Sequence, residues 1–367
     1  MKKVVIGMSG GVDSSVAAYL LQKEGYNVIG LFMRNWDSSI NNDIQGNPDL
    51  KNDICPQEQD YNDALKVCEK LNIPLYRVDF IKEYWDYVFQ YFLNELKKGR
   101  TPNPDVMCNK YIKFDLFKKE AKKLGADYIA TGHYAQIKDD KLLKGIDLNK
   151  DQTYFLALTS KKQLENVLFP VGNLNKQEVR TIASQLNLET ALKKDSTGIC
   201  FIGERNFKGF LKNYFPQKEG KIIDIETNQE IGLHSGLMYY TIGQRRGLNI
   251  GGNEDRLFVV GKDIENNVLF VAQGEDNKYL YSDLALITNI NWLSDHKPIN
   301  CHAKFRYRQQ DIPVQLQYLD NGNIFVKYIK GKAVTPGQIC VFYDGNECLG
   351  GGIIDEVYLD NQKINYL

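Results

Sequence analysis

Seven residues near the start of the chain, SGGVDSS (Ser9–Ser15), put two adjacent glycines, three hydroxyls and one carboxylate within one turn's length. An apolar run, Lys3–Met8, precedes them, and Val16, Ala17, Leu20 and Leu21 follow at helical spacing, so the stretch reads as a tight turn from strand to helix. In such a turn glycine lets backbone N–H groups approach an anion closely, and the helix N-terminus adds favourable partial charge. No lysine follows the second glycine, which separates the loop from the common P-loop. Asp13 is the odd member. A carboxylate beside phosphate repels it unless a cation intervenes, which points to Mg²⁺ bridging Asp13 to a polyphosphate. A glycine–serine turn can also be only a turn; the carboxylate and hydroxyls packed into seven residues favour a nucleotide site.

Two cysteine segments form the next concentration of chemistry, GRTPNPDVMCNKYIKF (Gly99–Phe114) and KKDSTGICFIGERNF, which carry Cys108 and Cys200. The two prolines of TPNP predict an extended, rigid connector that presents Asn103, Asp105 and Cys108. Lys110 and Lys113, close in sequence, would lower the Cys108 thiol pKa. Taken singly, Cys108 reads more readily as a small buried residue, and Cys200 reads equally well as a strand-core or a reactive thiol. Cys68, Cys301, Cys340 and Cys348 read as packing, and Cys55 adjoins a polar insertion. No close Cys/His spacing resembles a zinc site.

The elements that must position these groups alternate. Strands are predicted at Asn27–Met33, Leu75–Phe80 and Asp127–Thr131. Helical faces run through Ala64, Val67, Cys68 and Leu71, and through Phe114, Phe117, Ala121 and Leu124. Trp85, Val88, Phe89, Phe92, Leu93 and Leu96 make the strongest amphipathic helix. This pattern predicts an α/β domain with a doubly wound parallel sheet, in which ligands gather beyond the carboxyl ends of the strands. The loop at Ser9, the segment after Met33 and Gly132–His133 all fall there. Residues 37–55, rich in Asn, Asp and Gly, are expected to be a surface insertion, with a mobile lid as the sharper alternative. The texture then becomes β-rich, which predicts a catalytic domain at 1–205, a small β-rich domain at 206–277 and a C-terminal β-barrel at 278–367.

Forty-six basic residues match forty-six acidic ones, so nucleic acid, if bound, must meet a local basic face and not a general coat. No apolar run reaches about 18 residues and no signal-peptide layout precedes the loop, so neither a membrane nor export is expected. Seven irregularly spaced cysteines then suit free thiols in a reducing, cytoplasmic setting.

SGGVDSS resembles the loop of the N-type ATP pyrophosphatases (the PP-loop superfamily), which cleave ATP to AMP and pyrophosphate while adenylating an acceptor oxygen. The set SGGVDSS, GRTPNPDVMCNKYIKF, ATGHYA, NKDQTYFL, DSTGICFIGER and YTIGQRRGL, in this order, closely resembles the tRNA-specific 2-thiouridylases. That resemblance implies ATP, with Mg²⁺, at Gly7, Met8, Ser9, Gly10, Gly11, Val12, Asp13 and Ser14, with Met33 and Gly132 also touching the nucleotide. It implies that Cys200 carries a persulfide received from a sulfur-carrier protein or cysteine desulfurase, and that Cys108 releases the sulfur by forming a disulfide with Cys200. Asn103, Pro104 and Asp105 would surround the target base, with Asp105 as acid or base. His133, Lys150, Asp151, Gln152, Arg306, Tyr307 and Gln338 would contact tRNA.

The residues alone leave blander readings open for several of these. His133 could be a satisfied structural histidine, Lys150–Gln152 a solvated turn, and Arg306 and Tyr307 ordinary β-surface residues as well as a guanidinium and a ring for an unstacked base. Another ATP pyrophosphatase acting on a small molecule, a non-enzymatic nucleotide- or RNA-binding adaptor, and thiolation at another uridine position are the rival functions.

Overall fold

The computed structural model describes residues 1–45, 47, 56–195, 202, 206–248, 250 and 255–366. Its N-terminal sheet contains β1 (Lys3–Met8), β2 (Asn27–Arg34), β3 (Leu75–Asp79) and β4 (Tyr128–Ala130). An antiparallel hairpin, β5 (Ala135–Lys138) and β6 (Lys141–Lys144), comes before the fifth strand, β7 (Val167–Leu168). The five strands are parallel in the order β3-β2-β1-β4-β7. Strand side chains alternate between faces. Val4, Ile6 and Met8 of β1 therefore join one core with Phe32, while Val5 joins the other with Ile29, Leu31 and Met33.

Helices α1 (Val12–Lys23) and α2 (Pro56–Leu71) cover the first face. Helical stretches 81–97 and 104–123 cover the second through Tyr84, Phe89, Phe92, Ile112, Phe114 and Phe117. The sheet is doubly wound, as the alternation predicts. The chain leaves β1 toward β2 on one side and returns to β4 on the other, so the Ser9 loop lies at the topological switch point.

One expectation fails locally. TPNP is not extended throughout, because Pro104 opens a helix (Pro104–Cys108) that continues through a π-helical stretch (Asn109–Leu116) to Lys123. Proline at the first helical position loses only an N–H that would be unpaired anyway, and Asn103 Oδ1 caps the turn by accepting from Val106 N at 3.3 Å. Asp105 and Cys108 therefore stand on a helix.

The described part of the 37–55 stretch is exposed at Ser39, Ile40, Asn42, Ile44 and Gln45, as expected of a surface insertion, and is anchored through buried Asn41, Asp43 and Asn47. Trp36 Nε1 donates to Asp43 Oδ2 at 3.2 Å, and Asn47 Nδ2 donates to the Asp43 carbonyl at 3.0 Å. Further along, Tyr214 Oη donates to the Asn41 carbonyl at 2.7 Å, and Asn213 Oδ1 accepts from Ile44 N and Gln45 N. Its polar composition serves both solvent-facing positions and buried hydrogen bonding. Cys55 lies outside the described residues.

The central unit is a four-stranded sheet of β8 (Gly220–Asp224), β9 (Glu230–His234), β10 (Leu257–Asp263) and β11 (Val268–Gln273), ordered β10-β11-β8-β9. The C-terminal unit comprises β12 (Tyr281–Trp292), β13 (Asn300–Lys304), β14 (Ile312–Tyr318), β15 (Ile324–Lys332), β16 (Ile339–Asp344) and β17 (Glu347–Leu359). They run β12-β15-β14-β13-β16-β17, and pairing of β17 back to β12 closes the barrel. Strand β17 also pairs with β6 through Glu347 and Leu143, which sews the hairpin after Gly132 into the barrel sheet. Among the described residues no helix is long and apolar enough to cross a membrane.

Candidate active site

The Ser9 loop folds around its own hydroxyls. Ser14 Oγ lies 3.1 Å from Ser9 Oγ and donates to the Gly11 carbonyl at 3.1 Å, while Ser15 Oγ donates to the same carbonyl at 2.8 Å. Gly11 is the N-cap of α1 and supplies no capping side chain, so the first amides of that helix face the loop without a side-chain acceptor. Gly10 has φ +70°, and a Cβ there would fall 2.2 Å from the Asp60 carbonyl oxygen. A side chain at Gly132 would meet the Asp13–Ser14 backbone at 2.8 Å, so β4 and α1 touch only because that residue is glycine. Gly7 faces Met33 and Phe117, each 3.6 Å from a built Cβ. The side chains of Met8 and Val12 are core residues, which leaves only their backbones toward the loop.

Asp13 already has a cation. Lys176 Nζ donates to both carboxylate oxygens at 2.8 Å, and Tyr134 Oη donates to Oδ1 at 2.7 Å. Burial and the Asp13 charge together push the Tyr134 hydroxyl pKa far above the ordinary tyrosine range. Lys176 also pairs with Asp195 at 2.8 Å, which Lys150 and Arg180 hold at 2.7 and 2.8 Å. Burial alone would raise the Asp195 pKa, but hydrogen bonds from Lys150 and Lys176 hold it down to about 2. On the other side of the loop Lys193 Nζ donates to the Gly10 carbonyl at 2.9 Å and pairs with Asp60 and Asp63.

A second set of contacts runs from this loop to Cys108. Tyr134 and Gln152 exchange hydrogen bonds, with Tyr134 N donating to Gln152 Oε1 at 3.0 Å and Gln152 N to the Tyr134 carbonyl at 2.9 Å. Three residues on, the Phe155 carbonyl accepts from Asn109 Nδ2 at 3.0 Å, next to buried Cys108. The ring of Tyr307 lies 4.4 Å from that of Phe155. Gln338 Nε2 donates to the Thr101 carbonyl at 2.7 Å, and Thr101 N donates to the Pro336 carbonyl at 2.9 Å. The barrel turn Thr335–Gln338 thus grips the residues that lead into Asn103, Pro104 and Asp105. The half-buried Asp105 stands one turn from Cys108.

Other predicted contacts sit differently. His133 is buried between Phe114 and Phe169, with Nδ1 2.7 Å from Thr131 Oγ1; burial first and the Lys113 charge second hold its pKa well below the usual histidine value. Asp151 is 3 % exposed and spends its carboxylate on Gly145 N, Thr153 and Lys304. Arg306 is exposed, with Nη2 on the Lys332 carbonyl at 3.0 Å. Cys200 lies outside the described residues; Asp195 on one side and the buried Ile202 on the other are the nearest described neighbours.

Sequence reasoning missed Lys176, Tyr134, Lys193, Asp195 and Asn35. The stretch Asn175–Glu178 signals a capped helix start, but nothing in it says that its first lysine reaches Asp13. Asn35, just past β2, is fully buried, and among the described residues neither of its amide atoms has a partner.

A doubly wound sheet with an uncapped glycine–serine loop at its switch point defines a nucleotide-binding α/β domain. Family models match along the chain: a tRNA methyl transferase HUP domain at residues 2–204, a tRNA methyl transferase PRC-barrel domain at 208–273 and an aminomethyltransferase beta-barrel domain at 282–354. The tRNA-specific 2-thiouridylase MnmA of Mycoplasmopsis synoviae is 58% identical over 368 residues, covering 100% of this chain and 99% of the relative. That of Metamycoplasma arthritidis is 59% identical over 368 residues, with 100% of both chains covered. The Bacillus cytotoxicus protein of the same name is 53% identical over 373 residues, covering 100% of this chain and 98% of the relative. The chain belongs to the tRNA-specific 2-thiouridylase family.

Proposed function

We propose that this protein converts the wobble uridine of tRNA to 2-thiouridine, using ATP to activate the uracil C2 oxygen and a cysteine persulfide to replace it. The observation that carries this reading is full-length similarity to 2-thiouridylases, joined to a nucleotide loop and a cysteine helix linked by one chain of contacts.

A carbonyl oxygen leaves poorly. Attack of that oxygen on the α-phosphorus of ATP forms an adenylate and expels pyrophosphate, so the oxygen can later depart as AMP. The α1 amides and Ser9, Ser14 and Lys176 suit the triphosphate charge, with Met33 and Gly132 flanking the nucleoside. Asn103, Pro104 and Asp105 would hold the base, Asp105 moving the proton. The terminal sulfur of a Cys200 persulfide attacks C2. Cys108 thiolate then attacks Cys200 Sγ, the sulfane bond breaks toward the transferred sulfur, and AMP leaves as C2=S forms. The two cysteines end as a disulfide, which an external thiol reduces; the persulfide comes from a sulfur-carrier protein or a cysteine desulfurase.

Mg²⁺ enters as the counter-ion of ATP. Among the described residues no cluster of three His, Cys, Asp or Glu side chains suits a metal, and Asp13, the one carboxylate on the loop, is engaged by Lys176 and Tyr134. The residues therefore suit a metal held chiefly by phosphate oxygens and water.

RNA docking is assigned to the Lys150–Gln152 segment, His133, Arg306, Tyr307 and Gln338. Of these, exposed Arg306 is suited to a phosphate and Tyr307, half-buried on Phe155, to an unstacked base, whereas buried His133 and Asp151 would act by shaping the surface. The units 1–205, 206–277 and 278–367 divide the labour as catalytic, connecting and RNA-contacting parts.

The methyl-transferase wording of the family models raises a second reading, methyl transfer to tRNA. Nucleoside analysis of unmodified tRNA treated with the protein, ATP and a sulfur donor separates the two. Pyrophosphate release with 2-thiouridine supports thiolation, whereas methyluridine formed from a methyl donor, without ATP cleavage, contradicts it.

A further inference from the structure

A cavity of about 290 Å³ opens where the end of helix 81–97, strand β10 of the central sheet and strand β17 of the barrel meet. Four cations border it: Lys98, Arg100, Lys262 and Lys363. Three have carboxylates. Lys98 pairs with Glu95 at 2.6 Å, Arg100 with Asp355 at 2.5 Å and Lys363 with Glu356 at 2.5 Å.

Lys262 is left over. It is 6 % exposed, and its Nζ makes one hydrogen bond, to the Gly99 carbonyl at 3.0 Å. Among the described residues no carboxylate pairs with it. When Lys262 is protonated, its buried ammonium has two unused donors and the cavity is short of one negative charge, which is costly. Burial, with nothing to offset it, pulls the Lys262 pKa down to about 7.

We propose that this cavity binds a small inorganic oxyanion of the phosphate type, with Lys262 as its counter-charge. A tetrahedral oxyanion offers only acceptors, which matches the two idle Nζ donors, and the cavity has room for it with water. Its position gives it a role. Gly99 and Arg100 lead directly into the Asn103–Cys108 turn, so an ion there clamps the central sheet and the barrel to the root of the cysteine helix.

An RNA backbone phosphate presents the same chemistry, so the test must separate the two. Thermal unfolding of the full chain is compared in phosphate and in chloride at matched ionic strength and pH 7, for wild type and Lys262→Met. Phosphate is expected to raise the wild-type midpoint by about 3 °C and to leave the variant unmoved. Acylation of Lys262 in the unaltered protein, followed by peptide mass spectrometry, gives an independent readout, and phosphate should slow it about fivefold. Equal midpoint shifts in both proteins, or unslowed acylation, overturn the proposal. So does weakened tRNA binding by Lys262→Met without any phosphate response, which would assign the site to the RNA backbone.

Discussion

Lys176 Nζ sits 2.8 Å from each carboxylate oxygen of Asp13, so the acidic member of the nucleotide loop carries its own counter-ion before any metal arrives. The sequence points to Mg²⁺ as the cation beside this carboxylate; the structure places there a lysine from the start of helix Lys176–Gln185. That ammonium is placed to exchange Asp13 for phosphate oxygens when ATP binds.

Replacing Lys176 by methionine should therefore lower pyrophosphate release about a hundredfold, the usual scale for losing a charged stabiliser of the reacting phosphate. Adding Asp13→Asn should then cost much less than it does alone, because the repulsion it relieves exists only without the lysine. Strictly additive losses in this double-mutant cycle would show that the pair does not act as a unit.

Gly10 and Gly7 bracket the loop but should respond oppositely. A methyl group at Gly10 meets the Asp60 carbonyl oxygen at 2.2 Å and demands φ +70° of an L-residue, whereas one at Gly7 finds only ordinary contacts at 3.6 Å. Denaturant unfolding should show Gly10→Ala losing roughly 2 kcal/mol or more and Gly7→Ala under about 1 kcal/mol. Equal losses would contradict the packing described for α2 against the loop.

The parallel sheet was legible because its strands are short apolar runs between clear helical faces, and β1 begins and ends as predicted. The loop was legible because its chemistry is local, and the cysteines whose thiols burial drives up to about 12 (Cys68, Cys301 and Cys348) were correctly read as packing. What stayed hidden was long-range pairing. Lys176 reaches Asp13 across 163 residues, and Gln338 reaches Thr101 across 237, distances over which no periodicity carries information. Within the Asn/Asp-rich stretch after Trp36, composition alone does not distinguish an exposed residue such as Asn42 from a buried, hydrogen-bonded one such as Asp43.

Asp195 gives a pH signature. Its folded pKa is depressed to about 2, below the ordinary aspartate value of about 4, so its contribution to stability is present above about pH 4 and is lost as pH falls toward 2. Wild type should lose thermal stability across that window more steeply than Asp195→Asn. Parallel acid limbs for the two proteins would remove Asp195 from the network that anchors Lys176.

Gln338 separates the two half-reactions. Its hydrogen bond to Thr101 ties the barrel to the turn that starts the Cys108 helix. Losing one such bond costs about 1–2 kcal/mol, so Gln338→Ala should slow 2-thiouridine formation about tenfold while tRNA-dependent pyrophosphate release changes little. An equal fall in both rates would mean that Gln338 acts through RNA docking alone and contributes nothing to the placement of the cysteine helix.

The central claim is sulfur delivery from Cys200, with Cys108 as the thiol that frees it. Purified protein is incubated with ATP, Mg²⁺, a labelled sulfur donor and unmodified tRNA, and labelled 2-thiouridine is counted for wild type, Cys200→Ser, Cys108→Ser and Asp13→Ala. The account predicts label in wild-type tRNA, none with Cys200→Ser or Asp13→Ala, and a severe loss with Cys108→Ser. Undiminished labelling by Cys200→Ser would contradict it.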